Sequence, residues 1–167
     1  IKESENWVTL LETNLNKTSE VNYILINSSI SGDTTSGGVS RIEKALNSHS
    51  PDYVLIELGG NDALRGYPIA NIQKNLENIV SKVLDKKSKP ILMQIKIPPN
   101  YGKRYVDAFE KLYPIISNKY NVPLVDFLLE KVALNKKLMQ VDGIHPNSKA
   151  QPFITEQMEA ALIKILK

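Results

Sequence analysis

Tyr53-Val54-Leu55-Ile56-Glu57-Leu58-Gly59-Gly60-Asn61-Asp62 is the stretch whose reading decides the fold. Its first four residues are apolar without the alternation of a half-exposed strand, and a glycine pair then breaks the run. Strands covered on both faces read this way, and they belong mostly to parallel sheets. Three more runs share the character: Tyr23-Ile24-Leu25-Ile26, Ile91-Leu92-Met93-Gln94-Ile95 and Pro123-Leu124-Val125. Helical stripes separate them. Ile69, Ile72, Leu76, Ile79, Val80 and Val83 recur at three- and four-residue steps, as do Tyr105, Phe109, Leu112, Ile115 and Ile116. Pro114 interrupts the second stripe and is expected to kink it. A last stripe joins Ile154, Met158, Ala161, Leu162 and Ile165, entered through Asn147 or Ser148 as cap. Strand and helix alternate, so the expected class is α/β, a three-layer α/β/α sandwich around a central parallel sheet. No repeat or linker divides residues 1–167, which read as a single domain.

Composition narrows the function. The 167 residues are 42% apolar and 23% charged, as in ordinary globular chains. Cysteine is absent, which excludes disulfides, thiolate metal sites and a cysteine nucleophile. Twenty-one basic against eighteen acidic residues leave +3, too mild and scattered a balance to point to nucleic acid. No apolar run approaches the roughly 18 residues of a membrane span, so stable membrane insertion is not expected. One helix, read over residues 4–15 from Trp7, Leu10, Leu11 and Leu15, precedes the first visible strand. A leading helix in such a fold is normally a crossover between parallel strands, so a strand is expected upstream of Ile1.

Ligands of open α/β sheets gather at the carboxyl ends of the strands. The loops expected there contain Ser31-Gly32-Asp33, Gly59-Gly60-Asn61-Asp62, Pro98-Pro99-Asn100-Tyr101-Gly102 and Asp142-Gly143-Ile144-His145. A turn of the last kind can fold the Asp142 carboxylate onto His145 Nδ1–H, leaving Nε2 as a general base. The Asn61 amide can donate to a developing oxyanion, and so can the Gly32 N–H. Each motif alone equally suits an ordinary turn. His49 sits at an expected helix C-terminus and receives no role. No Gly-Lys-Ser/Thr follows Gly32, which argues against a phosphate loop and a nucleotide-binding flavodoxin-like domain.

Taken in order, Ser31-Gly32-Asp33, Gly59-Gly60-Asn61-Asp62 and Asp142-Gly143-Ile144-His145-Pro146 resemble the later blocks of the SGNH (GDSL-type) hydrolases. Further strings, among them Glu57-Leu58, Leu92-Met93-Gln94-Ile95, Asn100-Tyr101-Gly102 and residues 142–153, resemble that family's esterase, thioesterase and lysophospholipase branch. The resemblance covers essentially the whole chain. It implies hydrolysis of acyl esters and thioesters through an acyl-enzyme, with a Ser-His-Asp triad. His145 would be base and acid, Asp142 its orienting carboxylate, and Gly32 and Asn61 the oxyanion donors. Ala63, Leu64, Arg65, Gly66, Tyr67 and Pro68 would form a mobile loop over the acyl chain, with Ile97, Pro98 and Tyr101 near its pocket. No cofactor or metal is implied, the partner is a small-molecule ester or thioester, and a monomer in the periplasm or outside the cell is expected.

One block departs from the pattern. The family's Gly-Asp-Ser-Leu string, with its nucleophile, does not occur in residues 1–167. The resemblance implies a place for it just ahead of Ile1, where the leading helix had already called for a strand. Ser28, Ser29, Ser31 and Ser36 lie in the Gly32 loop or just beyond it, where turn and cap roles account for them. Two rivals follow: a carbohydrate acetylesterase on the same scaffold, or a non-catalytic acyl- or lipid-binding module lacking the serine.

Overall fold

The computed structural model describes residues 2–127 and 129–166. In chain order it contains α1 (Trp7–Thr18), α2 (Thr35–His49), β1 (Tyr53–Ile56), α3 (Gly60–Leu64) and α4 (Ile69–Asp85). There follow β2 (Lys89–Met93), α5 (Lys103–Tyr120), β3 (Leu124–Val125), α6 (Glu130–Ala133) and α7 (Gln151–Leu162). The chain divides into two compact units, residues 28–127 and residues 1–27 with 128–167.

Residues 28–127 contain the sheet, in the order β1-β2-β3. Both pairings are parallel, with Tyr53 opposite Lys89 and Leu92 opposite Leu124. The α4 stripe read from the sequence is the centre of the core: Ile72, Leu76, Ile79, Val80 and Val83 are all buried. Around them pack Ile56, Leu92, Phe109, Leu112, Tyr113 and Ile116. A proline inside α5 leaves the carbonyl one turn earlier without its N–H partner. Here the helix runs on through Pro114, and Gln94 Nε2 donates to that Glu110 carbonyl at 3.4 Å.

The glycine pair after β1 answers to packing. Gly59 has φ +115°, and a Cβ placed on it would lie 2.7 Å from the Tyr113 hydroxyl oxygen. That hydroxyl donates to the Leu58 carbonyl at 2.9 Å, so it is not free to retreat. Gly59→Ala combines backbone strain with overpacking and should cost on the order of 2–4 kcal/mol. Urea unfolding of the variant measures it, and a loss below about 1 kcal/mol would contradict the packing argument.

In residues 1–27 with 128–167, α1 and α7 are joined by polar bonds at one end of the pair. Trp7 N–H donates to Gln151 Oε1 at 3.0 Å, and Thr155 Oγ1 donates to the Trp7 carbonyl at 3.3 Å. Leu11, Leu15, Ile154, Met158 and Leu162 are buried. The leading helix begins at Trp7 rather than at Ser4, with Asn6 as its cap.

One expected strand is not formed. Tyr23 to Ile26 joins no ladder among the described residues, and Ile24 and Ile26 are 77% and 50% exposed. Side chains of α1 take its backbone groups instead. Asn16 exchanges two bonds with Tyr23, at 2.7 and 2.8 Å, and Glu12 accepts from Leu25 N–H at 2.6 Å. An apolar run specifies a preference for extended backbone; a strand also needs a neighbouring edge.

Candidate active site

Within residues 128–167, His145 sits on a tightly bonded loop. Met139 and Pro146 form an antiparallel bridge, and Gln140 N–H donates to the His145 carbonyl at 2.7 Å. Asn147 ties off the loop's base. Its Nδ2 donates to the Lys137 and Met139 carbonyls, at 2.9 and 3.0 Å, while its Oδ1 accepts from Lys149 N–H at 2.9 Å. Inside the loop Asp142 Oδ1 accepts the N–H groups of Ile144 and His145, at 2.9 and 3.0 Å. The other oxygen, Oδ2, lies 2.8 Å from His145 Nδ1. Together, the His145 backbone N–H, the imidazole and the Ile144 N–H hold the Asp142 carboxyl down to about 2. A carboxylate fixed by two backbone donors and facing Nδ1 selects the tautomer with Nε2 unprotonated. Both side chains are open to solvent, at 64% and 44%.

Within residues 28–127, Gly32 and Asn61 are fixed by a shared neighbour. Asp33 N–H donates to the Ile30 carbonyl at 3.2 Å, closing a turn whose second central residue is Gly32 at φ +75°. Among the described residues no acceptor meets the Gly32 N–H, and its carbonyl accepts from Arg65 Nη2 at 3.2 Å. Asp33 holds the turn from its far side: its carboxylate pairs with Arg41 Nε at 2.7 Å, and Arg41 Nη1 reaches the Ser28 carbonyl. The Asp33 carbonyl accepts from Asn61 Nδ2 at 3.0 Å. That bond uses one of the amide's two protons and orients the other.

Two expectations for the substrate loop are corrected. Ala63 and Leu64 belong to α3, and Ala63 is fully buried in the core, so neither lies in a free loop. The exposed loop is Arg65, Gly66, Tyr67 and Pro68. Ile97 is 7% exposed and packs in the core, Pro98 is exposed and Tyr101 is half-buried against that core. Two tyrosine hydroxyls fasten the loop at its ends: Tyr101 donates to the Leu64 carbonyl at 3.0 Å, and Tyr105 to the Tyr67 carbonyl at 2.6 Å. A surface depression of about 460 Å³ lies beside them, bordered by Ile69, Tyr101, Tyr105 and Ala108. Sequence reading passed over Arg41, Thr35 and Asn75. Their partners lie on other elements, and no local spacing announces them.

Comparison with known proteins gives the chain's family. Residues 2–151 match the model of the GDSL-like lipase/acylhydrolase family. An arylesterase of Vibrio mimicus is 43% identical over 162 residues, spanning 97% of this chain and 80% of that protein. Thioesterase 1/protease 1/lysophospholipase L1 of Escherichia coli K12 is 46% identical over 138 residues, 83% of this chain and 66% of that one. Among solved structures, the psychrotrophic esterase EstA from Pseudoalteromonas, inhibited by monoethylphosphonate, superposes with TM-score 0.95 at 41% identity. The match covers 99% of this chain and 90% of EstA.

Proposed function

The chain belongs to the GDSL-like lipase/acylhydrolase family and is a serine ester hydrolase, and from that premise we propose how its residues divide the work and what it cleaves. His145 is the general base and acid, Asp142 orients it, and Gly32 N–H and the Asn61 amide receive the oxyanion. The observation that carries this reading is the 2.8 Å approach of Asp142 Oδ2 to His145 Nδ1, on a carboxylate already pinned by two backbone N–H groups. With the Nδ1 proton so committed, Nε2 has its lone pair available.

In acylation the nucleophile is the family's Gly-Asp-Ser-Leu serine, which residues 1–167 do not themselves contain; it gives its proton to Nε2 as its Oγ bonds to the acyl carbon. The carbonyl oxygen gains a negative charge and is met by the two donors. Collapse breaks the bond to the leaving oxygen or sulfur, which takes the proton back from Nε2–H. Water then repeats the sequence on the acyl-enzyme and releases the carboxylic acid. No metal or cofactor enters the scheme. The substrates we assign are acyl esters and thioesters of the acyl-CoA, lysophospholipid or aryl type. The names of the arylesterase and thioesterase relatives support that range, as does the mostly apolar depression beside Tyr101 and Tyr105, which Lys103 and Arg104 also border. A monomer acting in the periplasm or outside the cell completes the proposal, and a cysteine-free chain is compatible with it.

Kinetics of Asn61→Ala on aryl esters of increasing acyl length provide the test. Losing one oxyanion donor should lower kcat by about 10²–10³-fold with KM little changed. An effect confined to KM would overturn the oxyanion role. Efficiency rising toward longer acyl chains supports the assigned range, and a strict acetyl preference would overturn it.

A further inference from the structure

Asp62 follows Asn61 directly and differs from it in being almost fully enclosed, at 2% exposure. A buried carboxylate has to recover in hydrogen bonds what it loses in hydration. Both its oxygens turn to one residue. Oδ2 accepts the Thr35 N–H at 2.8 Å, and Oδ1 accepts the Thr35 hydroxyl at 2.6 Å. Thr35 is itself fully buried, and its Oγ1 accepts in turn from Asn75 Nδ2 at 3.0 Å. Asp62 therefore bonds both groups of the first residue of α2, and Asn75 on α4 closes the network.

The placement matters more than the strength. Thr35 opens α2 immediately after the Gly32 turn, and Asp62 is the covalent neighbour of Asn61. Two oxyanion donors from separate segments are useful only if their spacing is fixed to a few tenths of an ångström. Asn61 Nδ2 already meets the Asp33 carbonyl at 3.0 Å and Arg65 Nη2 the Gly32 carbonyl at 3.2 Å, but these two bonds lie at exposed or half-exposed sites and allow a hinge. The bidentate Asp62–Thr35 contact supplies a further, fully buried attachment between the same two segments.

We propose that Asp62, with Thr35 and Asn75, is a positioning residue of the oxyanion hole, setting the Gly32-to-Asn61 spacing without touching the substrate. This rests on the oxyanion reading above. A helix-capping role alone would give Asp62 the same contacts, so the test has to separate stability from turnover. The variants are Asp62→Asn, Thr35→Val and Thr35→Ser in the active enzyme, with Asp62→Asn also made in the Asn61→Ala background.

Asp62→Asn should lower kcat about 10–100-fold and Thr35→Val about tenfold, with KM within about twofold for each. Thr35→Ser keeps both donors and should restore turnover. In the Asn61→Ala background Asp62→Asn should cost almost nothing further, because the group it positions is gone. Full additivity of the two losses, or a loss that follows the urea midpoint with kcat of the folded fraction unchanged, would overturn the proposal. If Asp62→Asn does not fold, Thr35→Val in both backgrounds carries the same comparison. An unaltered kcat in Asn61→Ala itself would overturn the oxyanion reading and this inference together. A large Asn61 effect with an additive Asp62 effect would overturn this inference alone.

Discussion

Substituting His145 by Ala should lower kcat for ester hydrolysis on the order of 10⁶-fold, since nucleophile and base act as one unit. Without the imidazole the serine is an ordinary alcohol, and the leaving group departs as an unprotonated anion. The side chain is 64% exposed, and the loop is held by backbone bonds and Asn147. The variant should therefore fold with an unchanged urea midpoint, so the loss reports chemistry. Steady-state turnover of an aryl ester by wild type and variant measures it. Activity within tenfold of wild type would show that another group takes the proton.

Asp142→Asn should cost about 10⁴-fold in kcat, because an amide in place of Oδ2 favours the wrong imidazole tautomer. The carboxamide oxygen can still accept from Ile144 and His145, so the loop geometry is expected to survive. The direction of the titration supports this assignment. A carboxyl held at about 2, below its ordinary 3.8, is charged throughout any working pH range. Its stabilising bonds are present above the ordinary value and are lost only as pH falls toward about 2. Following the Asp142 carboxyl carbon by NMR should give a midpoint near 2. A midpoint above 4 would mean that the paired geometry does not persist in solution.

What the sequence made legible was local. The α4 stripe and the Tyr53–Ile56 strand can be read from periodicity because burial at those positions follows from their own spacing. Asp142 and His145 are equally readable: the contact closes within one turn, so the motif contains its own geometry. Tyr23 to Ile26 misled because its composition prefers extended backbone, whereas a strand depends on an edge from elsewhere. Ala63 and Leu64 misled in the opposite sense, since membership in a loop-like motif says nothing about packing beneath it. The Asp62–Thr35–Asn75 contacts join three segments distant in sequence and could not be read at all. Asp62 looked like a turn residue, and only its 2% exposure sets it apart.

The two tyrosine hydroxyls that fasten residues 65–68 bear on populations as well as geometry. Each is worth about 0.5–1.5 kcal/mol net, because water replaces a broken hydroxyl-to-carbonyl bond almost fully. Opening these two bonds alone exposes no buried side chain of the loop and costs only roughly 1–3 kcal/mol, while Arg65 Nη2 on the Gly32 carbonyl and Tyr67 N–H on the Asp62 carbonyl still hold it. That corresponds to about one molecule in six to about one in 160 with both bonds open at any moment. The two tyrosines thus act as a thermally accessible fastening of the loop rather than as a rigid clamp.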